Sequence, residues 1–247
     1  MDIPALTKDR FHAVLFDLDG VLTDTAAIHA DCWKRTFDAF LSARAERSGE
    51  PFRAFDDSDY RQYVDGKPRY DGVRSFLASR DIALPEGEPE DPPRRETVFG
   101  IGNRKNELVG EAIAAGAVQP YPGSIALVRH LREQGIRTAV VSSSANCAAV
   151  LEAAKIADLF EDRVDGVVIH ELKLEGKPAP DSFLEGARRL DVEPGRAVVV
   201  EDAISGVQAG HAGGFGLVIG VDRGGNAEAL AANGADQVVG DLAELLP

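Results

Sequence analysis

The stretch "HAVLFDLDGVLTDTAAIHADCW", residues 12–33, ends a run of apolar residues on two aspartates one residue apart, Asp17 and Asp19, with Gly20 directly after and a third aspartate at position 24. The run is short, almost wholly apolar and closed by a glycine, which predicts a strand over 12–17 buried on both faces. Side chains two apart on a strand share a side, so Asp17 and Asp19 converge at its carboxyl end while Leu18 turns away. That end is where open parallel sheets bind ligands. Gly20 leaves the backbone free to turn sharply there and to approach a ligand closely. Two carboxylates this close repel each other unless a cation sits between them or one takes up a proton.

Similar apolar runs recur at "RTAVVSS" (137–143), "RAVVVED" (196–202) and "GLVIGV" (216–221). Helix-patterned segments lie between them, over 123–135, 145–155, 180–191 and 205–214. Strands alternating with helices predict an α/β fold, a Rossmann-like, doubly wound parallel sheet covered on both faces. One region breaks the alternation. From about 26 to 117 the chain is amphipathic and charge-rich, with no comparable strand, which predicts a helical insert after the first strand. The expected division is a core of residues 1–24 and 119–247 and a helical cap of 25–118. The cap ends at the turn-forming "QPYPGS" (119–124), and the acidic, proline-rich "LPEGEPEDPPRRE" (84–96) is a loop within it.

The chain has 247 residues, 44% of them hydrophobic, enough for one large domain or a domain with an insert. Its 27 basic residues face 41 acidic ones, for a net charge of -14, with no basic run to offset them. Nucleic acid and anionic membrane are therefore not expected partners. An anionic small substrate would need a local metal or lysine to overcome this field. Two cysteines, no secretion signal and no apolar run of membrane-spanning length point to a reducing cytoplasm.

A second acidic pair, Glu201 and Asp202, closes the run "AVVV" as Asp17 closes the first. On neighbouring strands the four acids would meet at one sheet edge, a set of hard oxygen donors suited to Mg2+. Ser142, Ser143 and Ser144 follow "TAVV" and precede a helix, so hydroxyls and amides there can hold an anion. Lys177, in "EGKPAPDSF", is placed to bridge a carboxylate and a phosphoryl oxygen. Acid cluster, cation and anion nest together suit phosphoryl transfer.

In order and place, "DLDGVLTDT", "VVSSS", "GKPAPDSF" and "VVVEDAISGVQAG" resemble the four motifs of the haloacid dehalogenase superfamily, and the match spans the whole core. Within it, "FDLDGVLTDTAAIH", "KPAP" and "EDAISGVQA" most resemble the β-phosphoglucomutase branch, which carries a helical cap after the first strand. The resemblance implies that Asp17 is the nucleophile and Asp19 the general acid/base. It implies Mg2+ held by Asp17, the Asp19 carbonyl, Glu201 and Asp202, and phosphoryl binding by Ser142 and Ser143 with Lys177 offsetting charge. It also implies substrate-binding roles for His29, for Gly66 and Arg69 of "VDGKPRYDG", and for Lys105 and Asn106 of "GNRKNE"; Asn146 joins these candidates. Arg69 would grip the distal phosphate of a sugar phosphate. This chain departs from the type member of the branch at Asp65, where that enzyme has a lysine, although Lys67 is close by. The expected activity is a phosphosugar mutase acting as a monomer, interconverting β-glucose 1-phosphate and glucose 6-phosphate through an aspartyl-phosphate and a bisphosphate. The alternative is a phosphatase on a small phosphorylated sugar or related metabolite. Dehalogenation needs no acid two residues after the nucleophile and is set aside.

Other features read as structural. Asp24 suits a hinge or a helix cap. His29 and Cys32 lack further ligands for zinc, and Cys147 and Trp33 suit packing. Neither "GGFGLVIG" nor "FGIGN" has the spacing of a dinucleotide fingerprint, and no GxxxxGK[ST] loop occurs.

Overall fold

The computed structural model describes residues 6–49 and 51–247. In chain order the elements are β1 (Ala13–Phe16), α1 (Thr25–Ser48), α2 (Asp57–Asp59), which continues into a π-helical turn (Tyr60–Val64), α3 (Arg69–Ser79), α4 (Val98–Ala114), α5 (Pro122–Glu133) and β2 (Arg137–Val141). There follow α6 (Cys147–Ala153), β3 (Asp162–Val164), α7 (Gly166–Leu172), α8 (Asp181–Arg189), β4 (Ala197–Glu201), α9 (Ile204–Ala212), β5 (Leu217–Val221), α10 (Ala227–Ala232) and β6 (Gln237–Val239). The chain divides into two compact units, Met1–Thr25 with Val118–Pro247, and Ala26–Ala117. Among the described residues no helix is long and apolar enough to cross a membrane.

The first unit is a parallel sheet of order β3-β2-β1-β4-β5-β6 flanked by helices, a doubly wound α/β fold. Its central strand has every residue buried, as expected for an apolar run covered on both sides. On one face Ala13, Leu15, Val141 and Val199 pack with Phe183 and Ala187 of α8 and Val207 of α9. Register then places the chemistry. Phe16 lies level with Val140 on β2 and Val200 on β4, so the next residues along, Asp17, Val141 and Glu201, reach the sheet edge together. The edge strands β3 and β6 were not expected from the sequence. Each has three residues, two of them only half-buried, too few to leave an apolar run.

Where the chain leaves and rejoins this unit, the two crossings are tied to each other. Asp24 N–H donates to Gln119 O (3.0 Å), Gln119 N–H to Asp24 Oδ1 (2.9 Å) and Tyr121 N–H to Leu22 O (2.9 Å). Asp24 thus serves as a fastener at the crossing.

The second unit is helical among its described residues and has its own aromatic core. Trp33 stacks on Phe37 at 5.1 Å between centroids, and Phe37 packs against Phe55 and Phe76, with Val64, Val73 and Ile101 around them. The loop 84–96 is held by Asp91, which is buried and accepts from the Thr97 hydroxyl (2.8 Å), the Glu88 amide (3.1 Å) and Arg95 (2.7 Å). A proline-rich segment has few amides to pair among themselves, so one buried carboxylate organises it.

Candidate active site

Asp17, Glu201 and Asp202 bring carboxylate oxygens within 4.8 Å of one another at the carboxyl ends of β1 and β4. Buried beneath them, Lys177 donates to Asp17 Oδ1 (2.6 Å), Glu201 Oε1 (2.7 Å) and the Val141 carbonyl (3.1 Å). Its ammonium has three hydrogens, and all three are used. Lys177 thus bridges two carboxylates, one of them the Asp17 expected to be the nucleophile. The aliphatic stem makes this reach possible, and Phe183 lies under the ammonium at 4.7 Å.

The remaining oxygens of these acids are also held. Asp17 Oδ2 accepts the Asp19 amide at 3.0 Å, and Glu201 Oε2 accepts the Ala203 amide at 2.7 Å. Burial raises Asp17 to about 6 and Glu201 to about 7, against the opposing pull of Lys177. Burial alone would lower Lys177, but Asp17 and Glu201 outweigh it and push its value up. One ammonium thus faces Asp17 and Glu201, with Asp202 beside them, and negative charge is in excess. Hard oxygen donors in surplus are what a divalent cation such as Mg2+ requires.

Two glycines make room for this arrangement. Gly20 has φ +83°, and a Cβ there would fall 1.8 Å from Asp202 Oδ2. A Cβ on Gly206 would fall 1.8 Å from Glu201 Oε1. The first was anticipated as a turn residue. The second was missed, and its only signal was its place five residues after Glu201 at the start of α9. Arg223 was missed too: it lies over the Tyr121 ring at 3.8 Å and donates from Nε to Gly20 O (3.0 Å), holding the loop after β1.

Asp19 Oδ1 accepts from the Thr25 hydroxyl, which is linked in turn to Thr23 Oγ1 at 2.8 Å. Thr25 was not expected to touch the site. Beside β2, Ser142 is buried and its Oγ accepts the Ser144 amide (3.1 Å), while Ser144 Oγ accepts the Asn146 amide (3.2 Å). Ser143 and Asn146 are half-buried in the same turn. Gly166, at the start of α7, donates to Ser144 O (3.1 Å), and a Cβ there would lie 2.7 Å from Ser143 O. The serine turn is thus clamped by the unanticipated β3–α7 segment.

The helical unit places its candidates separately. Lys105 of α4 is buried, reaches His29 Nδ1 of α1 at 2.8 Å and lies 5.1 Å from the Trp33 ring centroid. An ammonium only donates, so Nδ1 accepts and the imidazole proton sits on Nε2. Burial, then the charge of Lys105, holds His29 well below the ordinary histidine value. Asn106, next on α4, is half-buried. Gly66 has φ +71° in the loop before α3, after the half-buried Asp65, and Lys67 donates to Ser75 Oγ at 3.0 Å. Arg69 opens α3 and lies over the ring of Tyr70 at 4.6 Å.

The haloacid dehalogenase-like hydrolase family model matches residues 11–214. A β-phosphoglucomutase of Mycobacterium bovis is 51% identical over 242 residues, covering 96% of this chain and 92% of its own. Among solved structures, β-phosphoglucomutase from Clostridium difficile is similar at a TM-score of 0.75 and 26% identity, over 95% of this chain and 93% of that one. CbbY from Rhodobacter sphaeroides, solved with xylulose-(1,5)bisphosphate, is similar at a TM-score of 0.71 and 26% identity, over 95% of this chain and 96% of that one. With acids, lysine and serine turn gathered at one sheet edge, these likenesses show that the chain belongs to the haloacid dehalogenase-like hydrolase family, in its β-phosphoglucomutase-like branch, and is an enzyme acting by phosphoryl transfer.

Proposed function

We propose that the chain is a Mg2+-dependent phosphosugar mutase that interconverts β-glucose 1-phosphate and glucose 6-phosphate, with residues 25–118 as its cap. The observation that carries this reading is a pair of carboxylates two residues apart with different partners: Asp17 hydrogen-bonded to Lys177, Asp19 to Thr25. Phosphoryl transfer from one oxygen to another uses both, because a proton must be supplied to the leaving oxygen and removed from the attacking one, whether that is a sugar hydroxyl or water.

A free oxygen lone pair of Asp17 attacks phosphorus, the ester P–O bond breaks, and Asp19 in its acid form protonates the leaving sugar oxygen. A second sugar hydroxyl then gives its proton to Asp19 as it attacks the phospho-Asp17, and the P–O bond to Asp17 breaks. Asp17, Asp202, Glu201 and the Asp19 carbonyl would hold Mg2+, which supplies positive charge against the phosphoryl oxygens. Ser142 and Ser143 receive the same group with hydroxyl and amide donors. His29, Gly66, Arg69, Lys105, Asn106 and Asn146 are assigned to the sugar phosphate, Arg69 to the phosphate that is not being transferred. The M. bovis relative, at 51% identity, supports the mutase over the hydrolase.

The test is incubation with Mg2+, β-glucose 1-phosphate and a trace of glucose 1,6-bisphosphate, recording glucose 6-phosphate and free phosphate together. Isomer without free phosphate is expected. Free phosphate alone would replace this reading by the phosphatase.

A further inference from the structure

The glycine-containing "FGIGN" and the acidic loop 84–96 meet around Arg69. Arg69 Nη2 donates to Tyr70 Oη (2.7 Å), Tyr70 Oη donates to Asn103 Oδ1 (2.8 Å), and Asn103 Nδ2 donates to the carbonyls of Pro89 and Asp91 (2.9 Å each). The direction of this chain is fixed from both ends. Two carbonyls on one side of Asn103 identify its Nδ2, so Oδ1 must accept the tyrosine proton. At the other end the guanidinium can only donate, so the tyrosine oxygen must accept from it. The Tyr70 ring packs against Phe99 at 4.4 Å. Gly102 lets it lie there, since a Cβ would come 2.6 Å from Tyr70 Cδ1 and 3.4 Å from Arg69 Cγ. Arg69 is thereby held at one Nη, while its buried Nε has no hydrogen-bond partner among the described residues. A buried donor left unmade is costly, and an incoming anion would satisfy it.

We propose that Tyr70 and Asn103 are positioning residues that present Arg69 to the second anionic group of the substrate, making loop 84–96 a determinant of substrate choice. This rests on the assignment of Arg69 to the non-transferred phosphate. The loop's carbonyls orient Asn103, Asn103 orients the tyrosine hydroxyl, and the hydroxyl and ring together fix the guanidinium plane. Preorganisation of this kind lowers the ordering cost of binding a bisphosphate and leaves the chemistry at Asp17 untouched.

The experiment compares Tyr70→Phe, Arg69→Ala and their double variant in Mg2+, measuring KM and kcat with glucose 1,6-bisphosphate, and hydrolysis of acetyl phosphate, a donor with no second anion. Tyr70→Phe keeps the packed ring and should raise KM for the bisphosphate about tenfold while kcat and the acetyl phosphate rate stay within about twofold. In the Arg69→Ala background it should add nothing. Gly102→Ala should raise KM in the same selective way. If Arg69→Ala leaves KM unchanged, the assignment of Arg69 to substrate fails. If Arg69→Ala raises it and Tyr70→Phe does not, the positioning role fails while that assignment stands. Equal losses with acetyl phosphate, or additive effects in the double variant, would also sink it. A readout independent of turnover is the guanidinium NMR signal of Arg69 in the ligand-free protein. Hindered rotation about Nε–Cζ is expected in the wild type and lost in Tyr70→Phe; free rotation in both overturns the relay.

Discussion

The acids of the sheet edge and the cations of the helical unit are positioned by different means. Asp17 and Glu201 stand where the strand register puts them, one residue beyond Phe16 and Val200 in adjacent parallel strands. Arg69 and Lys105 stand where other side chains put them, through Tyr70 and Asn103 in one case and His29 and Trp33 in the other. Backbone placement tolerates change around it, because a strand pinned on both sides has nowhere to move. Side-chain placement is adjustable, and a single hydroxyl or amide can alter it. Chemistry common to a family suits the first device and substrate choice the second.

Among the acids placed by strand register, the largest effect is expected at Asp17. Asp17→Asn keeps the shape of the side chain and leaves Lys177 its contacts with Glu201 and Val141. Turnover should fall on the order of 10⁴-fold or more, as for other covalent nucleophiles. Stability should change by no more than about 1 kcal/mol, because the lost carboxylate is one that burial already disfavours. Steady-state assays beside urea denaturation check both, and persisting turnover would remove the nucleophile from Asp17.

These two means of placement also explain what could be read from the sequence. Buried parallel strands are apolar runs, and an acid that closes such a run announces itself, so β1, β2, β4, β5 and the residues Asp17, Asp19, Ser142, Glu201 and Asp202 were legible. The edge strands β3 and β6 were not, since half-exposed three-residue strands carry no such pattern. Gly206, Thr25 and Arg223 were not legible either, because their value lies in who their neighbours are in space. Lys177 was found, but its pairing with two carboxylates was not, because that depends on how far its stem reaches under the sheet edge.

Lys177 offers the next test. Lys177→Met keeps the stem and removes the ammonium, leaving Asp17 and Glu201 facing each other without their cation. Removing one partner of a buried pair costs about 3–5 kcal/mol. The loss should be largest without divalent cation and should shrink when Mg2+ is added. A denaturation midpoint insensitive to Mg2+ would show that the acids do not share a cation site.

A smaller effect is expected at Gly206. Its Cβ would overlap Glu201 Oε1 and Cδ, at 1.8 and 1.9 Å, so Gly206→Ala must displace the glutamate or tilt α9. Overpacking a tight site of this sort costs about 1–3 kcal/mol. Activity should fall through the displaced Glu201, whereas Gly110→Ala, on α4 with nothing within 4 Å of its Cβ, should leave activity unchanged and stabilise the helix by about 0.5–1 kcal/mol. Equal behaviour of the two variants would mean that the sheet edge yields more easily than its strand register implies.

The smallest effect separates the two regions by pH. Asp17 and Glu201 have folded values raised to about 6 and about 7, so the folded state of the metal-free protein binds more protons than the unfolded chain. Their contribution to stability is therefore full at low pH and lost as pH rises through that window. His29 works in the opposite sense. Its folded value is held well below 6.5 by burial and by Lys105, so below pH 6.5 the unfolded chain takes up a proton that the fold refuses. Stability from this group falls as pH falls, with a slope of up to about 1.4 kcal/mol per pH unit. The two slopes oppose each other and partly cancel in the whole protein, so a difference measurement is needed. His29→Gln retains an acceptor for Lys105 and cannot titrate. The stability difference between it and the wild type should be flat above pH 7 and should drift in favour of the variant from pH 6.5 downward. A flat difference throughout would mean that the imidazole is protonated as readily in the fold as outside it, and that the Lys105 contact does not fix its proton on Nε2.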